Sequence, residues 1–146
     1  MTKAKVLFLC TANSCRSQMA EAIINHRFSD RWVAFSAGTQ PSGYVHPSAL
    51  LVLEEISIRH AGRSKSVAEF QGVAFDLVIT VCDSAAEQCP IWLGGGKRMH
   101  IGFPDPASAT GTPDQILSAF RAVRDDILQR IPAALNNTPF IKSRKA

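Results

Sequence analysis

The feature that most constrains this chain is an alternation of short apolar runs with longer segments of helical periodicity. Residues 6–10 and 75–81 are almost wholly apolar, as is typical of strands that are buried on both faces. Two further short runs, at residues 32–35 and 99–103, are also interpreted as strands, and residues 17–27 have apolar side chains at helical spacing. Strands that alternate with helices predict an α/β fold, here a single-domain three-layer sandwich with a four-stranded parallel sheet and helices on both faces.

Two later helices complete this pattern. The second helix is predicted to begin near Pro47, because proline suits a first helical turn. Its apolar side chains are Leu50, Leu51, Leu53 and Ile56. The last helix is predicted to begin with a capping box at residues 112–115, with proline at the first helical position. An apolar stripe then continues to Ile131, and the pattern ends near Asn136. We therefore expect one domain over residues 1–136 and a basic, flexible tail over residues 137–146.

Length and composition exclude several classes of protein. The chain of 146 residues is long enough for one domain with a real core, and its net charge is only +4. No apolar run approaches the ~20 residues that span a bilayer, and the N-terminal run is too short for a signal peptide. The sequence has no basic helix with interleaved aromatic residues, so it does not indicate a nucleic acid partner. We expect a monomeric, cytoplasmic protein whose mild positive field suits a small anion.

A loop of the oxyanion-binding type joins the first strand to the first helix. Residues 10–17 have the sequence Cys-Thr-Ala-Asn-Ser-Cys-Arg-Ser. In such a loop, successive backbone N–H groups turn inward, and the helix N-terminus adds partial positive charge. Arg16 can bind two oxygens of an anion at once, Ser17 can donate to the Cys10 sulfur, and the field favours the Cys10 thiolate. The candidate substrate-binding residues are Thr11, Ala12, Asn13, Ser14, Cys15 and Arg16.

Two of the cysteines end strands of the predicted sheet. Cys10 ends the first strand and Cys82 ends the third. In an open parallel sheet, the carboxyl ends of the strands meet at one edge, where ligands bind. We therefore expect Cys10 and Cys82 to lie at the same edge of the sheet.

The other two cysteines are open to several interpretations. Cys89 follows Cys82 after good helix formers, and a helix there would separate the two sulfurs by about 10 Å, given a rise of ~1.5 Å per residue. A disulfide between them would then require the helix to unwind or shift. Reactive thiols, inert apolar side chains and a zinc site of all four cysteines are the alternatives, although Arg16 beside a metal would be hard to explain. Cys15 is interpreted as packing under the loop. We expect no metal and no cofactor.

Several segments together resemble the low-molecular-weight protein tyrosine phosphatase superfamily and, within it, the thioredoxin-coupled arsenate reductases. The resemblance covers nearly the whole chain and is carried by CTANSCRSQMAE at residues 10–21, SAG at 36–38, VCDSAAEQCP at 81–90 and FPDP at 103–106. It implies the fold of that superfamily and the reduction of arsenate, or binding of a phosphate-like oxyanion. Thioredoxin is the implied electron donor, and glutaredoxin with glutathione is the alternative.

The resemblance also implies residue roles. Cys10 attacks arsenate while the loop and Arg16 stabilise the oxyanion, and Asp105 protonates the departing oxygen. Cys82 then attacks Cys10, which releases arsenite and leaves a Cys10–Cys82 disulfide. Cys89 attacks Cys82 in turn, and thioredoxin reduces the resulting Cys82–Cys89 disulfide. The implied catalytic residues are Cys10, Arg16, Ser17, Cys82, Cys89 and Asp105.

One position departs from the pattern of some relatives. Those relatives bind a potassium ion near the loop, through positions that match Asn13, Glu21, Ser36 and one acidic residue. Lys65 matches the acidic position. We predict that the Lys65 ammonium takes the place of the ion and supports the loop through Asn13 and Glu21.

Two other functions remain open from the sequence. A phosphotyrosine phosphatase would use the same Cys10, Arg16 and Asp105. It has no use for Cys82 and Cys89, however, and the tyrosines that usually follow the Asp-Pro pair are absent. A non-enzymatic thiol sensor or trap would need neither Asp105 nor multiple turnovers.

Overall fold

The computed structural model describes residues 3–83, 91–92 and 94–138. The strands are β1 (Ala4–Cys10), β2 (Trp32–Gly38), β3 (Leu77–Thr80) and β4 (Lys97–His100). The helices are α1 (Arg16–Arg27), α2 (Pro47–Glu54) and α3 (Pro113–Asn136), with short 3-10 helices at Val67–Phe70 and Pro106–Ser108. All strand pairs are parallel, in the order β2-β1-β3-β4. The predicted four-stranded parallel sheet is confirmed.

The central strand β1 is buried on both faces and separates two apolar clusters. Val6, Phe8 and Cys10 face a large cluster that contains the buried side chains of α1, α2 and α3. Leu7 and Leu9 face a smaller cluster on the other side of the sheet. The 3-10 helix Val67–Phe70 and Trp92 contribute to that second layer. The continuous apolar run of β1 therefore reflects burial from two sides, and the three-layer architecture is confirmed.

Strand boundaries were the least accurate part of the prediction. The second strand was predicted to end at residue 35, but β2 continues to Gly38, because Ser36, Ala37 and Gly38 pair with the last residues of β1. The third strand is shorter than the predicted residues 75–81. The fourth was predicted at residues 99–103 and lies instead at Lys97–His100. This edge strand is mostly exposed, so its position follows from backbone pairing with β3 and not from apolar side chains.

The helices are closer to the prediction. Helix α1 begins one residue earlier than expected, and α2 begins at Pro47 but ends at Glu54, so that Ile56 lies beyond it. Leu51, which was counted among the apolar side chains of α2, is exposed. Helix α3 has the complete capping box, because Thr112 Oγ1 accepts from Gln115 N and Gln115 Oε1 accepts from Thr112 N. Within the described residues, no helix is long and apolar enough to cross a membrane.

Candidate active site

The predicted oxyanion loop lies at the carboxyl edge of the sheet, between β1 and α1. Cys10 is the last residue of β1, and Arg16 is the first residue of α1. Cys15 lies at the N-cap position of α1 but makes no capping hydrogen bond with its side chain. The loop is therefore a direct passage from a buried strand into a helix N-terminus, the arrangement that favours an anion.

The backbone of the loop is oriented by hydrogen bonds to its carbonyl groups. Each of four consecutive carbonyl oxygens accepts from a residue outside the loop turn: Thr11 O from Gln40 N (2.9 Å), Ala12 O from Ser42 N (3.0 Å), Asn13 O from Gln18 Nε2 (3.2 Å) and Ser14 O from His46 N (2.9 Å). In a trans peptide, the C=O and the following N–H point in opposite directions. The amides of residues 12–15 consequently face away from these partners, and Asn13 N reaches Cys10 Sγ at 3.2 Å.

Two backbone features allow this loop to close tightly. Asn13 has a φ of 51°, in the left-handed region that asparagine tolerates better than most residues. Gly38, at the end of β2, packs against the loop so closely that a Cβ there would clash with Thr11 O and lie 3.1 Å from Asn13 N. The Ser-Ala-Gly segment noted in the sequence therefore contributes a strand end without a side chain, because the loop occupies that space.

Cys10 lies within hydrogen-bond distance of groups in the loop and in α1. Its Sγ lies 2.9 Å from Ser17 Oγ, a contact in which either atom could donate, and the donation by Ser17 stays a prediction. Asn13 Nδ2 in turn lies 2.7 Å from Ser17 Oγ. A backbone amide and a hydroxyl therefore lie within hydrogen-bond distance of the Cys10 sulfur, beside the N-terminus of α1.

Arg16 connects the loop to the segment that contains Asp105. The Arg16 side chain is 4% exposed, and its Nη1 donates to Phe103 O at 3.1 Å. Phe103 N donates to Val81 O at 3.1 Å, so that the segment after β4 runs beside the end of β3. Asp105 is half-buried and accepts from Ala107 N at 3.0 Å, as the N-cap of the short helix Pro106–Ser108.

Cys15 differs from Cys10 in its environment. Burial raises the pKa of the Cys15 thiol to about 12, and the nearby charges of Asp105 and Cys10 act in the same direction. The Ser14 hydroxyl, 3.5 Å from Cys15 Sγ, acts against this rise. Cys15 is therefore a protonated thiol at neutral pH, which supports the interpretation that it packs under the loop.

Cys82 lies at the same edge of the sheet as Cys10. Leu9 pairs with Thr80, Val81 N donates to Leu9 O at 2.9 Å, and Cys82 follows with 0% exposure. Cys10 and Cys82 belong to one buried cluster. Cys82 is disulfide-bonded, whereas Cys10 and Cys15 are free thiols. Cys89 and the predicted helix at residues 83–88 fall, apart from Asp83, outside the described residues.

Lys65 lies beside the residues that the sequence associated with a cation. Its Nζ is 3.7 Å from Glu21 Oε1, 3.3 Å from Ser36 Oγ and 3.1 Å from Arg63 O. Its backbone N donates to Asn13 Oδ1 at 3.0 Å. These residues do not fit a potassium ion, because the ammonium already contacts oxygens of Glu21 and Ser36 that would coordinate it. The prediction that the ammonium also supports Asn13 is corrected, since the bond to Asn13 Oδ1 comes from the Lys65 backbone. Among the described residues, no group of three or more His, Cys, Asp or Glu side chains could hold a metal ion.

The sequence analysis missed two residues of this site. Gln18 and His60 form hydrogen bonds behind the loop, with His60 Nε2 2.8 Å from Gln18 Oε1. His60 Nε2 also lies 3.7 Å from Glu21 Oε2. Burial raises the pKa of Glu21, while the charge of Lys65 opposes that rise. One signal could have identified Gln18. It is a polar residue between Ser17 and Met19, on a helix that is buried along most of its length.

Known proteins are similar to this chain in sequence and in fold. The family model described as low molecular weight phosphotyrosine protein phosphatase matches residues 5–139. An arsenate reductase of Shouchella clausii (strain KSM-K16) is 40% identical over 132 residues, which cover 90% of this chain and 94% of that protein. An arsenate reductase of Bacillus subtilis (strain 168) is 39% identical over 127 residues, or 86% of this chain and 91% of that one.

The solved structures agree with the sequence relatives. An arsenate reductase in the phosphate binding state has a TM-score of 0.72 and 30% identity to this chain, and the match covers 91% of this chain and 97% of that one. The sheet order, the loop between β1 and α1 and the family match lead to one conclusion. The chain belongs to the low molecular weight phosphotyrosine protein phosphatase family.

Proposed function

We propose that this protein is an arsenate reductase that converts arsenate to arsenite through Cys10, Cys82 and Cys89. The observation that carries the proposal is the shared position of two cysteines at one edge of the sheet. Cys10 lies in a loop whose amides can bind a tetrahedral oxyanion, and Cys82 follows the neighbouring strand within the same buried cluster. A phosphatase needs only the loop and an acid such as Asp105, whereas a reductase also needs a second thiol beside the loop.

The oxyanion binds by electrostatics that the loop has already organised. The amides of residues 12–15, the N-terminus of α1 and the Arg16 guanidinium supply hydrogen bonds and positive charge. Because these groups are held by the carbonyl partners of the loop, little reorganisation is needed as charge develops on the substrate oxygens. Phosphate has the same shape and charge, so it should compete with arsenate.

The first chemical step forms a bond between sulfur and arsenic. The Cys10 thiolate attacks arsenic(V), and one arsenate oxygen departs as water after protonation, for which Asp105 is the proposed acid. Asp105 lies two residues beyond Phe103, which accepts from Arg16, so the acid and the anion-binding group are on connected segments. The charge of Asp105 also raises the pKa of Cys15 in the loop.

The reduction itself uses the second cysteine. The Cys82 thiolate attacks Cys10 Sγ, the sulfur–arsenic bond breaks, and its electron pair remains on arsenic, which leaves as arsenite. Cys89 then attacks Cys82, which forms a Cys82–Cys89 disulfide and returns Cys10 as a thiolate. In support, Cys82 is disulfide-bonded while Cys10 is a free thiol, the combination expected after the relay has run. Each exchange requires a thiolate and an accessible sulfur.

Thioredoxin is the proposed electron donor, with glutaredoxin and glutathione as the alternative. The dithiol of the donor would reduce the Cys82–Cys89 disulfide and become oxidised in turn. The proposal follows from the resemblance of the segment at residues 81–90 to thioredoxin-coupled enzymes. It includes a cytoplasmic location, where such donors keep thiols reduced.

The test is arsenate-dependent NADPH oxidation in the presence of thioredoxin and thioredoxin reductase. Wild type should complete many turnovers, whereas Cys89→Ser should stop after about one, because the Cys10–Cys82 disulfide cannot be passed on. Cys15→Ser is the matched control and should continue to turn over. Equal turnover by wild type and Cys89→Ser would contradict the relay. If wild type were active only with glutaredoxin and glutathione, these would be the electron donor in place of thioredoxin.

A second activity, hydrolysis of aryl phosphates, is favoured by the same loop and by the family match. We propose it as a weak side activity that uses Cys10, Arg16 and Asp105. Cys82→Ser should lose arsenate turnover and retain this hydrolysis. Brisk hydrolysis in wild type without any arsenate turnover would instead assign the protein to the phosphatases. Asp105→Asn with unchanged turnover would remove Asp105 from the mechanism, and a wild type without multiple turnovers would favour a thiol sensor or trap.

A further inference from the structure

Gln18 is a buried polar side chain to which the reaction above assigns no part. It lies in α1 directly after Ser17, and its exposure is 0%. Its Nε2 lies within hydrogen-bond distance of three oxygens: Arg63 O (2.8 Å), Asn13 Oδ1 (3.0 Å) and Asn13 O (3.2 Å). An amide nitrogen only donates, whereas an amide oxygen only accepts. The three oxygens therefore determine which end of the Gln18 amide carries the hydrogens.

The other end of the Gln18 amide determines which ring nitrogen of His60 carries the proton. Gln18 Oε1 lies 2.8 Å from His60 Nε2, and since Oε1 can only accept, His60 Nε2 donates. Burial lowers the pKa of His60, and the charges of Lys65 and His26 act in the same direction. His60 is thus a neutral imidazole at neutral pH, with its proton on Nε2.

The same reasoning orients Asn13. Its Oδ1 accepts from Gln18 Nε2 and from Lys65 N, both at 3.0 Å. Its Nδ2 therefore faces Ser17 Oγ, at 2.7 Å, and donates to it. The Ser17 hydroxyl accepts this bond, so its own hydrogen is available for Cys10 Sγ at 2.9 Å.

Four hydrogen bonds consequently run in one direction, from His60 through Gln18, Asn13 and Ser17 to Cys10. Hydrogen bonds in a chain polarise one another, and a bond that is donated to the charged form of a group favours that form. We infer that Gln18 is a positioning residue, which holds the Asn13 amide in the orientation that directs the Ser17 hydroxyl to the Cys10 thiolate. The inference rests on the proposed role of Cys10 as the nucleophile.

Gln18 also joins the loop to a distant segment of the chain. Its partners His60 and Arg63 are 42 and 45 positions away in sequence. Asn13 has a left-handed backbone, which is less favourable for a residue with a side chain, so bonds to both its carbonyl and its amide oxygen help to hold it there. Other charged and titratable groups around the loop are Arg16, Cys15 and Asp105 on one side and Glu21 and Lys65 on the other.

The test measures the reactivity of Cys10 as a function of pH. The reduced protein is treated with iodoacetamide, and tandem mass spectrometry separates the label on Cys10 from any label on the other three cysteines. Gln18→Met has similar length and no amide, so the chain of hydrogen bonds is interrupted without a change in charge. We expect the midpoint of Cys10 alkylation to move upward by about one pH unit, which is a roughly tenfold slower reaction below both midpoints.

A second substitution replaces a donor in the chain of hydrogen bonds by an acceptor. Gln18→Glu is isosteric, but its carboxylate cannot donate to Asn13 Oδ1, and it adds a negative charge near the thiolate. The midpoint should move upward at least as far as in Gln18→Met. Gln115→Glu is the matched control, because it makes the same change of charge at an exposed capping position that accepts glutamate. Its midpoint should equal that of wild type.

Substitutions at His60 keep the inference testable if a Gln18 variant does not fold. His60→Leu removes the first donor of the chain and should move the midpoint upward by less than Gln18→Met. His60→Gln retains a donor and should restore the wild-type midpoint. A Gln18→Met protein that unfolds cooperatively yet has the wild-type midpoint overturns the inference, as does a His60→Leu protein with that midpoint. A wild-type Cys10 that does not react at neutral pH would instead overturn the proposed function.

Discussion

Replacement of Lys65 by methionine should destabilise the protein through Glu21. The side chains of Lys65 and Glu21 are 11% and 13% exposed, and Nζ lies 3.7 Å from Oε1. Methionine keeps most of the stem and removes the charge, together with the bonds to Ser36 Oγ and Arg63 O. Removing one partner of a buried pair costs ~3–5 kcal/mol. Because Ser36 Oγ still donates to Glu21 Oε1 at 3.1 Å, we expect a loss of about 2–3 kcal/mol near pH 8.

The size of this loss should depend on pH. Burial raises the pKa of Glu21, and Lys65 is the largest influence that lowers it. Without Lys65, the pKa of Glu21 rises further. An acid whose folded-state pKa is above its unfolded value contributes stability that is present below the unfolded pKa and is lost as pH rises through the folded pKa. The destabilisation by Lys65→Met should therefore be largest near pH 8 and should shrink toward pH 5.

A cation should partly replace the missing ammonium. In Lys65→Met, oxygens of Glu21, Ser36 and Arg63 would surround a space without positive charge, and oxygen ligands suit a hard cation. We expect potassium to stabilise the variant more than sodium does at equal ionic strength. Wild type should respond equally to both salts, because the ammonium contacts these oxygens.

The assay is urea denaturation of wild type and Lys65→Met at pH 5 and pH 8, in potassium or sodium chloride. Lys97→Met is the control, because Lys97 is an exposed lysine in β4 and its loss should change the free energy of unfolding by less than about 0.5 kcal/mol. A loss in Lys65→Met that is the same at both pH values would refute the role of Glu21. Specific stabilisation of wild type by potassium would refute the replacement of the ion by Lys65.

Three further predictions concern the loop and the last helix. Gly38→Ala should raise the KM for arsenate at least about tenfold, since its Cβ would clash with Thr11 O; steady-state kinetics with a melting curve would separate this from unfolding. Cys15→Ser should keep kcat within about twofold of wild type and lower stability by about 1 kcal/mol, as measured by turnover and urea denaturation, because a pKa raised to about 12 keeps this thiol out of the reaction. Thr112→Ala should cost about 1 kcal/mol in urea denaturation without changing kcat, because it removes the cap of α3.

Local features were the most predictable. The loop from Cys10 to Ser17 could be found from the sequence because the contacts of its Cys10 sulfur span few residues: Asn13 N and Ser17 Oγ both reach Cys10 Sγ. The capping box of α3 was predicted for the same reason, since Thr112 and Gln115 satisfy each other within one turn. Such contacts depend on spacing along the chain, which the sequence displays directly.

Features that depend on distant pairing were less predictable. The position of β4 follows from its hydrogen bonds to β3, and its exposed side chains have no apolar alternation that would have located it. The extension of β2 to Gly38 likewise follows from its register with β1. The network behind the loop was not foreseen at all, because Gln18 meets His60 and Arg63 only after the segment that follows α2 folds back against α1.

The sequence by itself determined the alternation of strands and helices, the oxyanion loop and the placement of Cys10 and Cys82 at the carboxyl ends of strands. These depend on apolar periodicity and on the direction of parallel strands, which are properties of the chain as read in order. Only the tertiary structure decided the environment of each thiol and the orientation of each buried amide. Burial keeps Cys15 protonated, oxygens of Asn13 and Arg63 orient Gln18, and the Arg63 carbonyl also holds Lys65. These environments arise when residues far apart in sequence share one small volume.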